Sequence, residues 1–320
     1  MAFICVETAA NPFENLAAEE LLLQKAAETG RPILYLWQND HTVVIGRNQN
    51  PWRECRVALL EEEGGKLARR KTGGGAVYHD MGNLNFSFAV PTGLYNEKEQ
   101  YAILQKALAE FGVVAEQTGR NDLTVDGAKF SGNAFMHRQD ASLHHGTLLI
   151  ASDPAKIARY LTPPTGKLKA KGVTSVASRV VLLQRICKDI TAESMMRALS
   201  DVFSRRFGPA ERLAPLAEER KALAEEYASW DFRFGKTPPF DEEMTVTTSK
   251  GTMHLIVSLR SGRVSDCHAF ADWLDTEMPA DVANALLGAM YRPEDMKKAI
   301  GAMDRELAEA VCMAMQQKGE

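Results

Sequence analysis

The stretch Arg69-Arg70-Lys71-Thr72-Gly73-Gly74-Gly75-Ala76-Val77-Tyr78-His79-Asp80 is the point from which the rest of the chain can be read. Three successive glycines let the backbone reach positive φ and approach a ligand closely. Their N–H groups can converge on an anion. Two arginines and a lysine stand just before them, and a guanidinium forks onto phosphate or carboxylate as an ammonium does not. The stretch therefore reads as a cradle for a nucleotide or a carboxylate. No GKS or GKT follows, so it is not a P-loop. The GxGxxG spacing of a dinucleotide fold is also absent. Taken alone, the same residues also fit a glycine-rich surface turn with solvated charges.

Two further stretches carry chemistry. The first is Gly119-Arg120-Asn121-Asp122-Leu123, followed by Asp126-Gly127-Ala128-Lys129-Phe130-Ser131-Gly132. A lysine on a short strand, bordered by a phenylalanine and glycines, suits a partly desolvated ammonium. Such a charge can stabilise an α-phosphate and a reacting carboxylate together. Asp122 is a candidate for Mg²⁺ or a nucleotide group, and a solvent-facing hairpin lysine is the plainer alternative. The second stretch is His144-His145-Gly146-Thr147. Adjacent histidines on a strand point to opposite faces and make a poor metal pair, so at most His145 lines a pocket.

Composition bounds the class. The 320 residues are 45% hydrophobic and 25% charged, with a net charge of −4. That fits a folded protein of two domains and implies no general nucleic-acid surface. Five cysteines, far apart and with no CxxC pair, argue against zinc and disulfides and fit a reducing cytoplasm. The N-terminus lacks a signal-peptide pattern, and no apolar run reaches membrane-spanning length. The expectation is a cytoplasmic protein that contacts neither membrane nor nucleic acid.

Periodicity predicts a helix after Asn15 to about residue 28, strands at Ile33–Trp37 and Thr42–Gly46, and an amphipathic helix over 97–112. Asn85–Val90 alternates as a strand, with shorter strands at Ala128–Ser131 and Thr147–Ile150. Between Pro154 and Lys188 there is no acid but eight Lys or Arg, a positive segment suited to close over a phosphate-bearing intermediate and exclude water. A helix follows at 192–207, then a linker near 205–240. The last 80 residues form strands at Met244–Thr248 and Met253–Leu259. They end in helices whose apolar face carries Met296, Ile300, Met303, Leu307 and Val311. The expected division is 1–240 and 241–320.

Taken together, in order, these stretches resemble the lipoate–protein ligase A family. Further matching pieces are Asn15–Glu20, Val43–Glu54, Gly82-Asn83-Leu84-Asn85-Phe86, Lys171-Gly172-Val173 and the tail from Trp230 to about Arg292. The resemblance implies a mixed α/β (α+β) catalytic domain related to biotin–protein ligases, with a smaller α+β accessory domain. It implies that lipoate and ATP form lipoyl-AMP and pyrophosphate, and that the lipoyl group then passes to a carrier lysine. The implied carriers are the E2 subunits of 2-oxoacid dehydrogenases and the glycine-cleavage H protein. Octanoate is a possible substrate, Mg²⁺ accompanies ATP, and a monomer is expected.

Carried over residue by residue, the resemblance assigns adenylate contacts to Arg70, Gly75, Ala76, Val77, Tyr78 (through its backbone), Asn121, Asp122, Lys171 and Gly172. It assigns the acyl channel to Leu16, Glu20, Trp37, Arg70, Thr72, Gly73, His79, Ser131, Gly132 and His145. Lys129 touches both the lipoate carboxylate and the α-phosphate, as the catalytic residue. Lys71, Ala177 and Leu182 depart from the family pattern, which has serine, arginine and asparagine there. Two rivals differ in class. A carrier octanoyltransferase needs a cysteine nucleophile, and no cysteine here lies in a matching motif. An RNA-binding protein would use the basic segment.

Overall fold

The computed structural model describes residues 1–119, 121–162, 180–214, 217–273, 275 and 277–317. The basic segment over 165–180, with Lys171, Gly172 and Ala177, lies outside the described residues except for Val180.

The chain divides into two compact units. The first comprises Met1–Arg47 and Ala68–Ala228, and the second Asn48–Leu67 and Ser229–Glu320. The second unit thus begins upstream of residue 240 and recruits an early segment as well. Aromatic packing accounts for both. Trp52 lies 5.2 Å from Phe234, 5.4 Å from Phe240, 5.5 Å from Tyr291 and 6.3 Å from Trp230, ring centre to ring centre. Such rings contribute more than their buried area alone.

The first unit is built on an eight-stranded sheet of order β11-β1-β2-β6-β10-β9-β8-β7. These strands are β1 Ala2–Val6, β2 Ile33–Trp37, β6 Asn83–Pro91, β7 Glu116–Thr118, β8 Asp122–Val125, β9 Ala128–His137, β10 Ala141–Leu149 and β11 Ala210–Arg212. A small sheet, β4-β3-β5, joins β3 Thr42–Ile45 to β4 Lys66–Arg69 and β5 Val77–His79. In the second unit β12 Phe240–Thr248, β13 Gly251–Arg260 and β14 Arg263–Ala271 make an antiparallel meander. Its inward residues, such as Met253, Leu255 and Val257, pack with Met296, Ile300, Leu307 and Val311 into that unit's own core.

The alternation of β6 organises the first unit. Leu84, Phe86, Phe88 and Val90 face a core closed by helices Glu97–Ala109 and Ala192–Phe207. The intervening Asn85 and Ser87 face the other way and are buried as well, under helix Pro12–Thr29. Leu34 and Leu36 of β2 share the apolar face with His144 of β10, which packs edge-on or tilted among Phe86, Phe88 and Phe135. Trp37 and His145 lie on the opposite, polar face. The expectation for the two histidines therefore agrees with the register.

Several expectations move. Helix Pro12–Thr29 starts three residues before Asn15, because Asn11 is its N-cap, accepting from Phe13 N–H, with proline next. Asn15 is turned inward, where its amide donates to Ala9 O and Gln38 O. Helix Glu97–Ala109 stops short of residue 112, where Gly112 takes φ +73°. Ala128–Ser131 opens the long strand β9, and Thr147–Leu149 closes its long partner β10, which ends one residue before Ile150. Met303 lies in the turn between helices Pro293–Gly301 and Arg305–Gln317 and is exposed, off their apolar face.

Candidate functional site

A cleft opens on the polar face of the large sheet, and its lining combines apolar side chains with a few polar and charged groups, as small-molecule sites do. Its floor crosses four adjacent strands. Trp37 of β2 pairs with Asn85 of β6, and Asn85 pairs with Thr147 of β10. Gly132 N–H of β9 then donates to Thr147 Oγ1 at 3.4 Å. Strands lie about 4.8 Å apart, so the floor runs roughly 14 Å from Lys129 and Gly132 to Trp37. One end is cationic, and the other is aromatic.

Lys129 sits on β9, and its ammonium pairs with Asp122 Oδ1 of β8 at 2.6 Å, both side chains being about one-third exposed. A Cβ on Gly132 would meet Lys129 Nζ at 3.3 Å, so glycine leaves the lysine room to lie across the floor. The main chain of Lys129 is held from the other side, since Val181 N–H donates to its carbonyl at 2.9 Å. The basic segment thus ends beside the lysine.

The triple-glycine turn is shaped by Arg70. This buried guanidinium donates to Val44 O, Gly73 O and Gly75 O, at 2.7 to 3.2 Å, and through Nε to Thr72 Oγ1 at 3.1 Å. Burial pulls its pKa down to about 10, still far above neutrality. Of the three glycines only Gly74 has positive φ, at +94°. Arg69 is equally buried and donates to Gly46 O and Arg47 O. In the turn, strand alternation puts Val77 and His79 on the cleft. Tyr78 points away and stacks on Tyr160 at 5.4 Å, so only its backbone remains available toward the site.

His79 and His145 are held by Asn39 and Glu19, which are not among the predicted site residues, and His145 also by Thr72, which is. Asn39 Nδ2 lies 3.1 Å from His79 Nδ1. Burial, and then the nearby Arg70 and His145, lower the His79 pKa to about 3, so it is neutral. His145 Nδ1 lies 2.8 Å from Glu19 Oε1, and its Nε2 lies 2.8 Å from Thr72 Oγ1. Glu19 escaped notice although it follows Leu16 by one helical turn and so shares its face; that spacing was the available signal. Val44, Gly74, Asn85, Asn133, Ala134, Gly146 and Thr147 complete the lining.

Of the predicted site residues, the structure brings Leu16, Trp37, Arg70, Gly75, Ala76, Val77, His79, Asn121, Lys129, Gly132 and His145 to this one cleft. Thr72 and Gly73 stand behind its wall as partners of Arg70. Asp122 touches it through Lys129. Ser131 is buried, receiving a hydrogen bond from Asn133 Nδ2. Glu20 is not on the cleft lining. It pairs with Lys71 at 2.5 Å and Arg138 at 3.0 Å and accepts from Tyr227 Oη at 3.0 Å. Leu182 is buried. Among the described residues no cluster of three metal-ligating side chains occurs, no cysteine lines the cleft, and no helix is long and apolar enough to cross a membrane.

Comparison with known proteins follows the same lines. Residues 11–204 match the lipoyl protein ligase A/B catalytic domain, and residues 237–311 match the bacterial lipoate protein ligase C-terminus. A lipoate-protein ligase A of Psychrobacter cryohalolentis is 36% identical over 307 residues, covering 92% of this chain and 90% of that protein. Among solved structures, P. falciparum LipL1 in complex with lipoate is similar over 99% of this chain and 100% of its own, at 28% identity and TM-score 0.65. A bipartite lipoate protein ligase from Thermoplasma acidophilum, described with its E2 lipoyl domain, covers 74% of this chain and 97% of its own at 26% identity and TM-score 0.65. A lipoate-protein ligase A bound with ATP covers 71% of this chain and 94% of its own at 26% identity and TM-score 0.59.

Proposed function

Since the chain belongs to the lipoate–protein ligase family, we propose that its cleft binds lipoate along the floor and ATP at the glycine turn. It joins them as lipoyl-AMP and passes the lipoyl group to a carrier lysine. The lipoate carboxylate oxygen attacks the α-phosphorus, and the bond to pyrophosphate breaks. The carrier amine then attacks the lipoyl carbonyl, AMP leaves with the bonding pair, and the amine loses a proton.

One observation carries this reading. Arg70 is occupied with the turn's own carbonyls, whereas the Lys129 ammonium stands on a flexible stem at the open end of the cleft. Carboxylate and α-phosphate repel each other, and a cation between them stabilises the charge that redistributes as they join. Lys129 exchanges Asp122 for these two anions. N–H groups of Gly75, Ala76 and Val77 face the nucleotide, while Leu16, Trp37 and Gly132 border the acyl chain. Neutral His79 adds no charge to that channel.

Magnesium enters with the nucleotide, as part of the substrate. A single carboxylate already paired with an ammonium is not a donor set for Mg²⁺, so no step is routed through Asp122 and a metal. The carriers are E2 lipoyl domains, which the archaeal neighbour supports, and the glycine-cleavage H protein. The protein works as a monomer in the cytoplasm, and octanoate is a second acyl substrate.

The test is an omission series read by mass spectrometry. Protein, ATP, Mg²⁺, lipoate and an apo carrier are combined, and each is left out in turn. Carrier mass rises by one lipoyl group only in the complete mixture. Acyl transfer without ATP that thiol alkylation abolishes would replace this reading with octanoyl transfer. Four of the five cysteines are buried, so alkylation is expected to have no effect.

A further inference from the structure

A continuous chain of hydrogen bonds runs behind the cleft wall, from Trp37 at the aromatic end to Arg70 at the glycine turn. Trp37 Nε1 donates to Ser87 Oγ at 3.0 Å, and Ser87 Oγ donates to Glu19 Oε1 at 2.5 Å. From the other end, Arg70 Nε donates to Thr72 Oγ1 at 3.1 Å. Thr72 Oγ1 meets His145 Nε2 at 2.8 Å, and His145 Nδ1 meets Glu19 Oε1 at 2.8 Å. All six residues are buried.

The direction of each bond follows once every buried proton is given an acceptor. An indole and a guanidinium can only donate, and a carboxylate can only accept. Each hydroxyl has one proton. Ser87 receives from Trp37 and so passes its proton to Glu19. Thr72 receives from Arg70 and passes its proton to His145 Nε2. His145 must then accept at Nε2 and carry its own proton on Nδ1, directed at Glu19. Both arms thus end on one oxygen of one carboxylate. The same carboxylate offsets the buried charge of Arg70 across the relay.

We infer that Glu19 is a positioning residue for the ligation: its carboxylate sets the proton order of both arms, fixing the His145 tautomer and, through Thr72 and Arg70, the shape of the glycine turn. It touches no substrate. Without an acceptor at position 19, His145 is free to protonate Nε2. Thr72 then faces a second donor and its own proton loses its partner, which loosens the hold on Arg70. A buried network of this kind is strong only when every member is satisfied.

The effect on catalysis rests on the ligase reading above, whereas the tautomer does not. Nitrogen-15 NMR of the full chain tests the latter directly. A neutral His145 protonated at Nδ1 is expected, whereas protonation at Nε2 or at both nitrogens near pH 7 overturns the inference. Kinetics of lipoyl-AMP formation test the former. Glu19→Leu should raise KM for lipoate and for ATP by roughly tenfold or more, the scale of stranded buried donors, with a smaller change in kcat. Glu19→Gln keeps an accepting oxygen in place and should recover most of that loss. Ser87→Ala cuts only the Trp37 arm and should raise KM for lipoate alone. Thr72→Val cuts only the Arg70 arm and should raise KM for ATP. If Glu19→Leu does not fold, these last three decide. Equal impairment by Gln and Leu, or single-arm variants that lower stability with both KM values unchanged, would reduce Glu19 to a core residue.

Discussion

The carbonyl oxygen of Gly74 lies 2.3 Å from the point where a Cβ on Gly46 would have to stand. The end of β3 and the glycine turn touch backbone to backbone. Neither partner is a flexible side chain that can swing aside. Gly46→Ala must therefore displace the turn, at a cost of about 1–3 kcal/mol, typical of forced overpacking. Gly73 has open space at its Cβ position and no positive φ, so Gly73→Ala should stay within about 0.5 kcal/mol of the parent. Urea unfolding of the two variants checks the contrast, and equal midpoints would contradict it.

Lys129→Ala should fold normally, because the side chain is partly exposed and anchors no core. Its loss should slow lipoyl-AMP formation by about 10²–10³, the usual effect of removing one group that stabilises transition-state charge. Pyrophosphate release measures this. A variant that adenylates at the parent rate would remove Lys129 from the chemistry.

His79 makes a pH prediction. Its folded pKa, about 3, lies below the ordinary value near 6.5. The unfolded chain therefore binds a proton that the folded chain refuses as pH falls through 6.5. Linkage then makes His79 destabilising in acid, increasingly so from pH 6.5 down to about 3. His79→Asn should flatten that part of the stability profile, as read from urea midpoints at pH 7 and pH 4.5. A parallel loss in both proteins would refute it.

Glu20 titrates with the same sign, over a more acidic range. Burial pulls its pKa upward, but hydrogen bonds from Lys71, Arg138 and Tyr227 outweigh it and hold the carboxyl below its usual 4.5. Stability from these contacts is present above that value and fades as pH falls through the lowered folded pKa. The Lys71 contact is partly solvated, so Lys71→Ser should cost no more than about 1 kcal/mol at pH 7. The difference should shrink in strong acid, and a gap that is independent of pH would argue against the ion pair.

Much of this molecule was legible before folding. Periodicity located helix Ala192–Phe207 and, in whole or in part, β2, β6, β9 and β10 of the large sheet, and the family resemblance grouped Lys129, Gly132 and His145. Boundaries failed where a local signal had two uses. Asn15 resembles a helix cap, but a buried amide can instead satisfy loop carbonyls, and Asn11 supplied the cap. Glu20 was grouped with the channel, yet two cations and a phenol hold it off the lining.

By itself, the order of residues determined that β6 has an apolar and a polar side, that three glycines follow two arginines, and that a lysine stands near them. Alternation and glycine content are local properties, complete within a few residues of chain. Only the tertiary structure decided that the polar side of β6 is covered instead of wet, and that Arg70 is spent on holding a turn while Lys129 pairs with Asp122 on the cleft floor. Those outcomes depend on Glu19, Ser87, His145 and Thr72, brought within hydrogen-bond reach from four separate parts of the sequence. Burial makes each of their protons demand a partner, and no local pattern announces which partner that will be.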